Sequence, residues 1–353
     1  MAMSLEEFLE EWNNSSPYVH VQTSGSTGTP KPMLVEKRRM LNSARTTCDF
    51  LGLQEGDTAL LCMSLDYIAG KMMVVRSIER GLRLIVQEPS GHPMAVSPSI
   101  DFAAMVPMQV YNSLQVPEER DRLMQIKHLI IGGGAIDEAL AAELKTFPNA
   151  VWSTYGMTET LSHIALRRLS GPEASEFYTP FPGVRLSLSP EDCLIIDAPE
   201  VCPDTLVTND IAELTQGDCL SCEQRSELHR DCPLCISPHF RILGRKDNII
   251  CSGGLKIQAE GLERILLPYI RVPYLITKRP DPKFGEVVVL LTEGSADKAR
   301  EVCQRVLPKY HQPRAYIHLD HIPLTDTGKP ARKQAELLAK RDRTTLTSGP
   351  IYD

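Results

Sequence analysis

Several features that would place a protein in a simple class are missing from this 353-residue sequence. It has no run of 18 apolar residues, so we expect no membrane-spanning helix. It has no excess of basic residues, because 38 Lys and Arg face 45 Asp and Glu for a net charge of −7, and we therefore expect no nucleic-acid partner. The first residues, 1–11, are acidic where a signal peptide would be basic, so they predict an amphipathic helix and favour a cytoplasmic protein.

Disulfide bonds are not expected either, because a chain of this length can bury enough surface without them and the cytoplasm keeps thiols reduced. Of the ten cysteines, four are clustered and six are scattered. Most of the scattered six are interpreted as small buried hydrophobic residues. They are Cys48, Cys62, Cys193, Cys202, Cys251 and Cys303.

Apolar strands alternate with amphipathic helices from about residue 57. The pattern predicts strands at 58–63, 82–86, 127–131 and 151–153, and helices at 67–80, 101–115 and 136–146. Such alternation predicts an α/β fold with a mainly parallel, helix-flanked sheet. Ligands of such sheets lie beyond the carboxyl ends of the strands.

The pattern changes in the second half of the chain. Residues 178–243 predict a β-rich subdomain, because helical periodicity disappears and short strands and turns dominate. After that we expect a helix at 258–268, strands at 273–278 and 286–292, a helix at 296–306 and a strand at 315–319. The sequence thus predicts a large N-terminal domain over 1–243, a polar hinge at 244–248 and a small α+β domain over 249–353.

The segment Thr23–Lys31 is rich in glycine and hydroxyl residues and ends in a lysine. Small residues let a backbone wrap closely round an anion, while hydroxyls, N–H groups and the lysine supply donors and charge. It is not a Walker A loop, because Pro32 follows the lysine and the glycine spacing differs. A flexible linker is the alternative interpretation.

Five motifs in a fixed order carry a family resemblance. They are Thr23–Lys31, Tyr155–Thr160, Thr208–Asp210, Gly244–Ile257 and Thr327–Lys329. Together they resemble the adenylate-forming superfamily of acyl- and aryl-CoA ligases, firefly luciferase and peptide-synthetase adenylation domains, over about residues 22–333. The resemblance implies a large AMP-binding domain and a mobile C-terminal cap. It also implies that most of a subdomain preceding the phosphate loop is absent, and a symmetric homo-oligomer could cover that surface.

The resemblance assigns ATP contacts to four groups of residues. These are Thr23, Ser24, Gly25, Ser26, Thr27, Gly28 and Lys31 for the β- and γ-phosphates; Gly133, Gly134 and Ala135 for the adenine; Tyr155, Gly156, Met157 and Thr158 for the adenine and α-phosphate; and Asp210 and Arg245 for the ribose. Glu159 is implied as a ligand of Mg²⁺, which prefers carboxylate oxygen. Plainer interpretations are a strand-to-helix turn for the glycines and a helix N-terminal carboxylate for Glu159.

The smaller domain receives the remaining roles. Lys329 is implied to stabilise the charge that develops as the acid attacks the α-phosphorus of ATP; a solvated surface lysine is the alternative. Asp247 matches the hinge position of the family. Gly253 and Gly254, with Lys256, are implied to contact coenzyme A at the pantetheine channel, and a hairpin turn is their simpler interpretation.

The acid substrate is the least constrained part. Segments 64–72, 106–109 and 158–162 look most like the o-succinylbenzoate–CoA ligases of menaquinone synthesis. That acid has two carboxylates and so needs a polar or cationic pocket. The candidates are Tyr67, Lys71, Arg76, Ser162 and His163. A CoA ligase for another aryl or medium-chain acid, a non-catalytic nucleotide-binding module, and a merely packed His163 all stay open.

Two CxxC pairs lie in an apparent insertion at 217–238. They are Cys219 with Cys222 and Cys232 with Cys235, with nine residues between the pairs. Four thiolates at this spacing are typical of a structural zinc site. Reduced unligated thiols or a redox pair are the alternatives, and no catalytic role follows from four cysteine ligands.

Overall fold

A computed structural model describes residues 3–22, 32–95, 99–134, 136, 138–215, 238–325 and 330–341. The chain divides into two units. The first comprises Met1–Ser187, Ile195–Val207 and Leu214–Arg241, and the second comprises Leu188–Leu194, Thr208–Glu213 and Ile242–Asp353.

The predicted N-terminal helix is present as α1 (Leu5–Asn13). Its start is capped reciprocally, because the Glu7 N–H donates to Ser4 Oγ while the Ser4 N–H donates to the Glu7 carboxylate. An antiparallel pair of strands follows, β1 (Tyr18–Gln22) and β2 (Pro32–Glu36). Then comes α2 (Lys37–Leu51).

A seven-stranded sheet forms the centre of the first unit. Its strands are β3 (Thr58–Leu61), β4 (Arg83–Val86), β5 (Phe102–Met105), β6 (His128–Ile131), β7 (Ala150–Gly156), β8 (His163–Arg168) and β9 (Thr179–Pro180). Their order across the sheet is β4-β3-β5-β6-β7-β8-β9. The first five strands in this order are parallel to one another, β8 is antiparallel to β7, and β9 is antiparallel to β8. The predicted α/β fold is confirmed.

The remaining helices of this unit connect the parallel strands. They are α3 (Ile68–Arg80), α4 (Pro107–Leu114), α5 (Pro117–Gln125) and α6 (Glu138–Leu144). Proline occupies the first position of α4 and of α5, where its missing N–H costs nothing. Both α2 and α3 end in a glycine with positive φ, Gly52 and Gly81.

The prediction of one helix over 101–115 is wrong. Its first part is the strand β5, in which all four residues are buried, and the helix α4 begins only at Pro107. The alanine-rich sequence Phe102–Met105 has no strand signature of its own. Its position between β3 and β6 in the sheet determines the conformation, because tertiary context overrides weak local propensity.

The core of this unit includes side chains from the sheet and the helices beside it. Leu60, Met105, Val110, Leu129 and Val151 belong to one buried cluster. Since the parallel strands β3, β5, β6 and β7 end at the same edge of the sheet, the loops that follow them meet there.

The predicted β-rich part is a four-stranded sheet. Its strands are, in order across the sheet, β10 (Arg185–Leu188), β11 (Cys193–Asp197), β12 (Leu206–Leu214) and β13 (Phe240–Arg245). Residues of this sheet are assigned to both units.

The second unit contains a five-stranded sheet. Its strands are β14 (Ile249–Ser252), β15 (Leu255–Gln258), β16 (Tyr274–Asp281), β17 (Gly285–Thr292) and β18 (Ala315–His318). The order is β15-β14-β17-β16, and β18 pairs in parallel with β17. Three helices belong to the same unit: α7 (Ala259–Leu266), α8 (Ala296–Val306) and α9 (Arg332–Arg341).

In the part of the chain that the structure describes, no helix is both long and apolar enough to cross a bilayer. The six scattered cysteines are free thiols, and all but Cys251 are buried, as expected for most of them.

Candidate active site

The strand β7 runs into a tight turn, Met157–Ser162, that carries the motif residues. A register shift at Tyr155/Gly156 marks the point where β7 leaves its pairing with β8. A Cβ at Gly156 would lie 2.3 Å from Ser162 O and 2.4 Å from His163 Cα. Only glycine therefore fits where the two strands of the turn come together.

Thr160 braces this turn from inside. Its side chain is fully buried. Its hydroxyl accepts a hydrogen bond from the Met157 N–H at 3.1 Å and lies 2.7 Å from Ser162 O, to which it donates. Leu161 has a φ of +66°, a conformation that costs a non-glycine residue energy and that these contacts support.

The turn presents Thr158 and Glu159. Thr158 is buried and Glu159 is exposed. The alternative of a helix N-terminus for Glu159 is wrong, because the residue lies in a turn between two strands. An accessible carboxylate at the carboxyl end of a parallel strand has the donor chemistry that Mg²⁺ takes beside phosphates, so the residue fits the predicted role.

A glycine segment follows the neighbouring strand β6. Ile131 pairs with Ser153, so the residues that follow β6 and those that follow β7 lie at the same sheet edge. A Cβ at Gly132 would meet Thr154 Oγ1 at 2.4 Å, and Gly133 has a φ of +77°. The backbone of this segment therefore passes close to β7, which leaves a surface without side chains as the predicted adenine contact requires.

Tyr155 belongs to an aromatic cluster at the end of β7. Its ring makes an edge contact with Phe240 at 5.0 Å and lies 5.8 Å from the ring of Tyr178. Tyr178 stacks on Phe240, and its hydroxyl shares a 2.9 Å hydrogen bond with Ser153 Oγ. These contacts limit the orientations open to the Tyr155 ring, which is only partly buried.

Arg76 of α3 lies against the same turn. Its side chain is among the largest that are fully buried. Nη2 donates to Ser162 Oγ at 2.6 Å and Nη1 lies 3.8 Å from Met73 Sδ, while Nε has no partner. Among the described residues, no carboxylate forms an ion pair with it. Burial lowers the pKa of Arg76 to about 10, because a charged group loses hydration there.

One assignment of donors and acceptors satisfies all the hydrogen bonds around His163. Thr47 Oγ1 donates to Ser43 O at 3.0 Å, so it accepts from His163 Nε2 at 3.1 Å. His163 Nδ1 then accepts from Ser162 Oγ at 3.2 Å, and Ser162 in turn accepts from Arg76. Burial, with Arg76 adding to it, lowers the pKa of His163 well below its usual value, so the ring is neutral.

Two other predicted substrate residues have different surroundings. Lys71 is buried, and its Nζ donates to His20 O at 2.5 Å and lies 5.6 Å from the centre of the Phe8 ring. Burial lowers the pKa of Lys71. Its contacts are thus with α1 and β1 and not with Ser162, whereas Tyr67, just before α3, is 41% exposed.

In the second unit, three predicted residues come together. Arg245 Nη1 lies 3.5 Å from Asp210 Oδ1, and Arg245 Nη2 lies 3.4 Å from Asp247 Oδ2. Asn209, which stands where the family has glycine, donates to Asp247 Oδ2 at 3.4 Å. The predicted ribose residues and the predicted hinge residue therefore form one charged group.

Gly253 and Gly254 connect β14 to β15. Ser252 pairs with Leu255, and both glycines have positive φ, +56° and +84°, as a two-residue hairpin turn of this kind needs. The simpler interpretation is therefore confirmed, and it leaves the predicted coenzyme A contact open. Lys256 follows on β15 with its side chain exposed.

The other predicted residues lie outside the described part of the chain. These are Thr23, Ser24, Gly25, Ser26, Thr27, Gly28, Lys31, Ala135, Lys329 and the four clustered cysteines Cys219, Cys222, Cys232 and Cys235. Their roles stay predictions. Within the ranges that the structure describes, no group of three or more His, Cys, Asp and Glu could hold a metal ion.

Sequence reasoning missed Thr160, Thr47 and the link from Asn209 to Asp247. Thr160 stands inside the recognised motif, so its position between Gly156 and Ser162 was a usable signal for a turn brace. Thr47 comes from α2, far from β8 in the sequence, and no local pattern predicts that contact.

Comparison with known proteins agrees with this arrangement. A family model described as AMP-binding enzyme matches residues 5–194. A 2-succinylbenzoate–CoA ligase of Lactococcus lactis subsp. lactis (strain IL1403) is 24% identical, over 90% of this chain and 70% of its own. One from Haemophilus influenzae (strain ATCC 51907 / DSM 11121 / KW20 / Rd) is also 24% identical, over 96% and 74%.

Solved structures are similar as well. An acyl-CoA synthetase (AMP-forming)/AMP-acid ligase II-like protein from Dyadobacter fermentans DSM 18053 is 30% identical with a TM-score of 0.61, and the match covers 94% of this chain and 92% of that one. An O-succinylbenzoate coenzyme A synthetase from Bacillus subtilis, in complex with ATP and magnesium, is 21% identical with a TM-score of 0.71 over 89% and 69%; this likeness supports the fold alone.

These matches confirm the predicted superfamily and its enzyme class, an AMP-forming acyl-CoA ligase. With more than half of its length matched, the chain belongs to the family of AMP-binding enzymes.

Proposed function

We propose that this enzyme activates o-succinylbenzoate and transfers it to coenzyme A. A carboxylate oxygen of the acid attacks the α-phosphorus of ATP, and pyrophosphate leaves. The thiol of coenzyme A then attacks the carbonyl carbon of the acyl-adenylate, and AMP leaves. The first step is needed because a free carboxylate has no leaving group that a thiol can displace.

The residues of the chain mainly position groups and balance charge in this reaction. Glu159 would hold Mg²⁺, which supplies positive charge to the phosphates of ATP. Asp210 and Arg245 would bind the ribose hydroxyls. Lys329 would stabilise the charge on the α-phosphate during adenylation. These roles rest on the family resemblance.

The surroundings of Arg76 are the main reason to propose an acid with two carboxylates. Arg76 is a fully buried guanidinium whose Nε has no partner and that pairs with no carboxylate among the described residues. Burying such a charge is costly unless an opposite charge joins it. It donates to Ser162, in the turn that presents Glu159, and so lies beside the predicted chemistry. An acid with a second carboxylate would supply the missing partner.

The surroundings of Arg76 fit this role. The neutral His163 and the hydroxyl of Ser162 bring no negative charge that would compete for the guanidinium. Curated relatives that carry the name 2-succinylbenzoate–CoA ligase add support at 24% identity. We therefore prefer Arg76 to Lys71 as the group that recognises the second carboxylate.

Pyrophosphate release tests the proposal. The purified chain is given ATP, Mg²⁺, coenzyme A and one acid at a time: o-succinylbenzoate, two analogues that each lack one of its carboxylates, benzoates, and medium-chain fatty acids. We expect o-succinylbenzoate to have the highest kcat/KM, by about 10- to 10²-fold over the analogue that lacks only the carboxylate that does not react, since a charged hydrogen-bonded contact is worth roughly 1.5–3 kcal/mol. The other analogue has no carboxylate at the reacting position and should release little pyrophosphate.

Two variants make the test specific for Arg76. Arg76→Met should reduce the preference for the two-carboxylate acid to less than about fivefold, whereas Arg45→Met, an exposed arginine of α2, should leave it unchanged. A higher kcat/KM for a benzoate or a fatty acid would identify a different acid–CoA ligase. ATP binding without turnover of any acid would instead indicate a non-catalytic nucleotide-binding protein.

A further inference from the structure

Arg332, the first residue of α9, forms a bidentate charged contact in the second unit. Its Nη1 and Nη2 donate to the two carboxylate oxygens of Glu263 at 3.1 and 2.8 Å. Nη1 also donates to Ile276 O at 3.2 Å. Glu263 accepts a further hydrogen bond from the Ile276 N–H at 2.8 Å. A fork of this geometry fixes both the position and the orientation of the guanidinium.

The same guanidinium reaches toward the predicted hinge. Arg332 Nη2 lies 3.8 Å from Glu260 Oε1. That carboxylate accepts from Asn248, in the short 3₁₀ turn that contains Asp247, and from Gln258 at 2.6 Å. Gln258 donates in addition to Arg245 O at 3.1 Å. A continuous set of hydrogen bonds and charge contacts therefore runs from the start of α9 to the 3₁₀ turn.

The backbone before α9 is fixed at one further place. Leu324 and Pro330 form an antiparallel bridge, and the Ala331 N–H donates to Pro323 O at 2.8 Å. In the sequence, Pro330 directly follows Lys329 and Arg332 stands three positions after it. The contacts of Arg332 therefore fix the chain only three positions after Lys329 in the sequence.

The charge of Arg332 is maintained by its partner. Burial alone would lower its pKa, but the hydrogen bonds and negative charge of Glu263 outweigh burial and raise the pKa. The side chain is thus a cation at every pH at which the enzyme is expected to work. Replacement by lysine would keep the charge but lose the two parallel hydrogen bonds.

We propose that Arg332 is a positioning residue for adenylation: through Glu263 and Glu260 it holds the start of α9, three positions after Lys329 in the sequence, in a fixed place relative to the 3₁₀ turn that contains Asp247. The proposal rests on the proposed function for the role of Lys329. It predicts that the contact matters for the first half-reaction and not for the second, in which Lys329 takes no part.

Kinetics of the separate half-reactions test this. Arg332→Ala should lower the kcat of pyrophosphate release about 10- to 100-fold while the KM values for ATP and acid stay within threefold. Thioester formation from supplied acyl-adenylate should stay within threefold of the wild type. Arg332→Lys, the variant to use should the alanine protein not fold, should show a smaller loss in the first half-reaction only. Arg341→Ala, an exposed arginine of the same helix, is the matched control and should change neither.

A double variant separates positioning from general damage. Since Arg332 acts through Lys329, Lys329→Ala with Arg332→Ala should adenylate no more slowly than Lys329→Ala alone. Losses that multiply in the double variant, or an equal loss in both half-reactions, would overturn the proposal.

Hydrogen exchange tests the positioning itself without any turnover. In Arg332→Ala or Arg332→Lys, the Ala331 amide should exchange at least tenfold faster than in the wild type, while amides of β16 and β17 keep their protection. Unchanged exchange at Ala331 would refute the positioning claim. Failure of the proposed function would be recognised separately, as absence of pyrophosphate release by the wild type with every acid.

Discussion

Replacing Arg76 by methionine should make the protein more stable while it loses its preference for a two-carboxylate acid. Burial lowers the pKa of this arginine to about 10, well below its ordinary value. At 1.36 kcal/mol per pH unit, the folded protein disfavours the charged side chain by about 3 kcal/mol. Loss of the 2.6 Å hydrogen bond that the charged guanidinium donates to Ser162 offsets roughly 1.5–3 kcal/mol of that gain.

The net expectation is that Arg76→Met raises the free energy of unfolding by up to about 2 kcal/mol, because methionine fills a similar volume without a charge. The sign is the same throughout the neutral range. The free-energy cost of burying charged Arg76 applies in full at any pH below the pKa of this side chain in the folded protein. It decreases only as pH rises through about 10. The difference between variant and wild type should therefore be constant from about pH 6 to 9.

Thermal and urea unfolding of the ligand-free proteins provide the measurement. We expect a melting temperature higher by up to about 3 °C, with cooperative transitions in both proteins. o-Succinylbenzoate should raise the melting temperature of the wild type but not of the variant. A variant less stable than the wild type by 1 kcal/mol or more would refute the reasoning, because Arg76 would then already have a counter-charge within the protein.

Three further predictions concern the turn, the cap and the cysteines. Gly156→Ala should lower adenylation at least tenfold and destabilise the protein by about 1–3 kcal/mol, because the added Cβ meets backbone atoms. The control is Gly261→Ala in α7, where the atom nearest to the added Cβ would be 3.6 Å away, and this variant should be as stable as the wild type or more stable. Equal effects of the two substitutions in unfolding and pyrophosphate assays would contradict the prediction. Lys329→Ala should lose about 10²-fold or more in adenylation, through removal of one electrostatic stabiliser, and keep most thioester formation from acyl-adenylate; equal damage to both half-reactions would exclude that role. If Cys219, Cys222, Cys232 and Cys235 bind zinc, elemental analysis of protein purified without chelator should find one zinc per chain. A protein without zinc would refute this prediction.

Much of the fold follows from local pattern. The helices α3 and α8 and the strands β6 and β17 lie within about two residues of their predicted positions. The strand β5 does not follow, because Phe102–Met105 is short and alanine-rich, and only its neighbours in the sheet make it a strand. The helix α5 and the C-terminal helix α9 were not predicted either; their periodicity is weak, and packing on neighbouring elements supplies what propensity does not.

The candidate active site also has a part that the sequence predicts and a part that it does not. The motif residues Tyr155–Thr160 could be recognised, because the steric need for Gly156 and the chemistry of Glu159 impose residue types on neighbouring positions. The contact of Arg76 with Ser162 joins a helix to a turn 86 positions later in the chain. No spacing rule predicts it, and among several polar candidates the sequence offers no reason to prefer this arginine.

The sequence by itself therefore determined the class of the fold and the family, and it predicted the residue types that would meet ATP. It did so because backbone wrapping, phosphate charge and sheet topology each demand particular residues at short, regular spacing. Tertiary structure decided which cation is buried with no carboxylate partner among the described residues, how His163 is protonated, and what holds the start of α9. Those properties depend on burial and on contacts between distant segments, which arise only when the chain is folded.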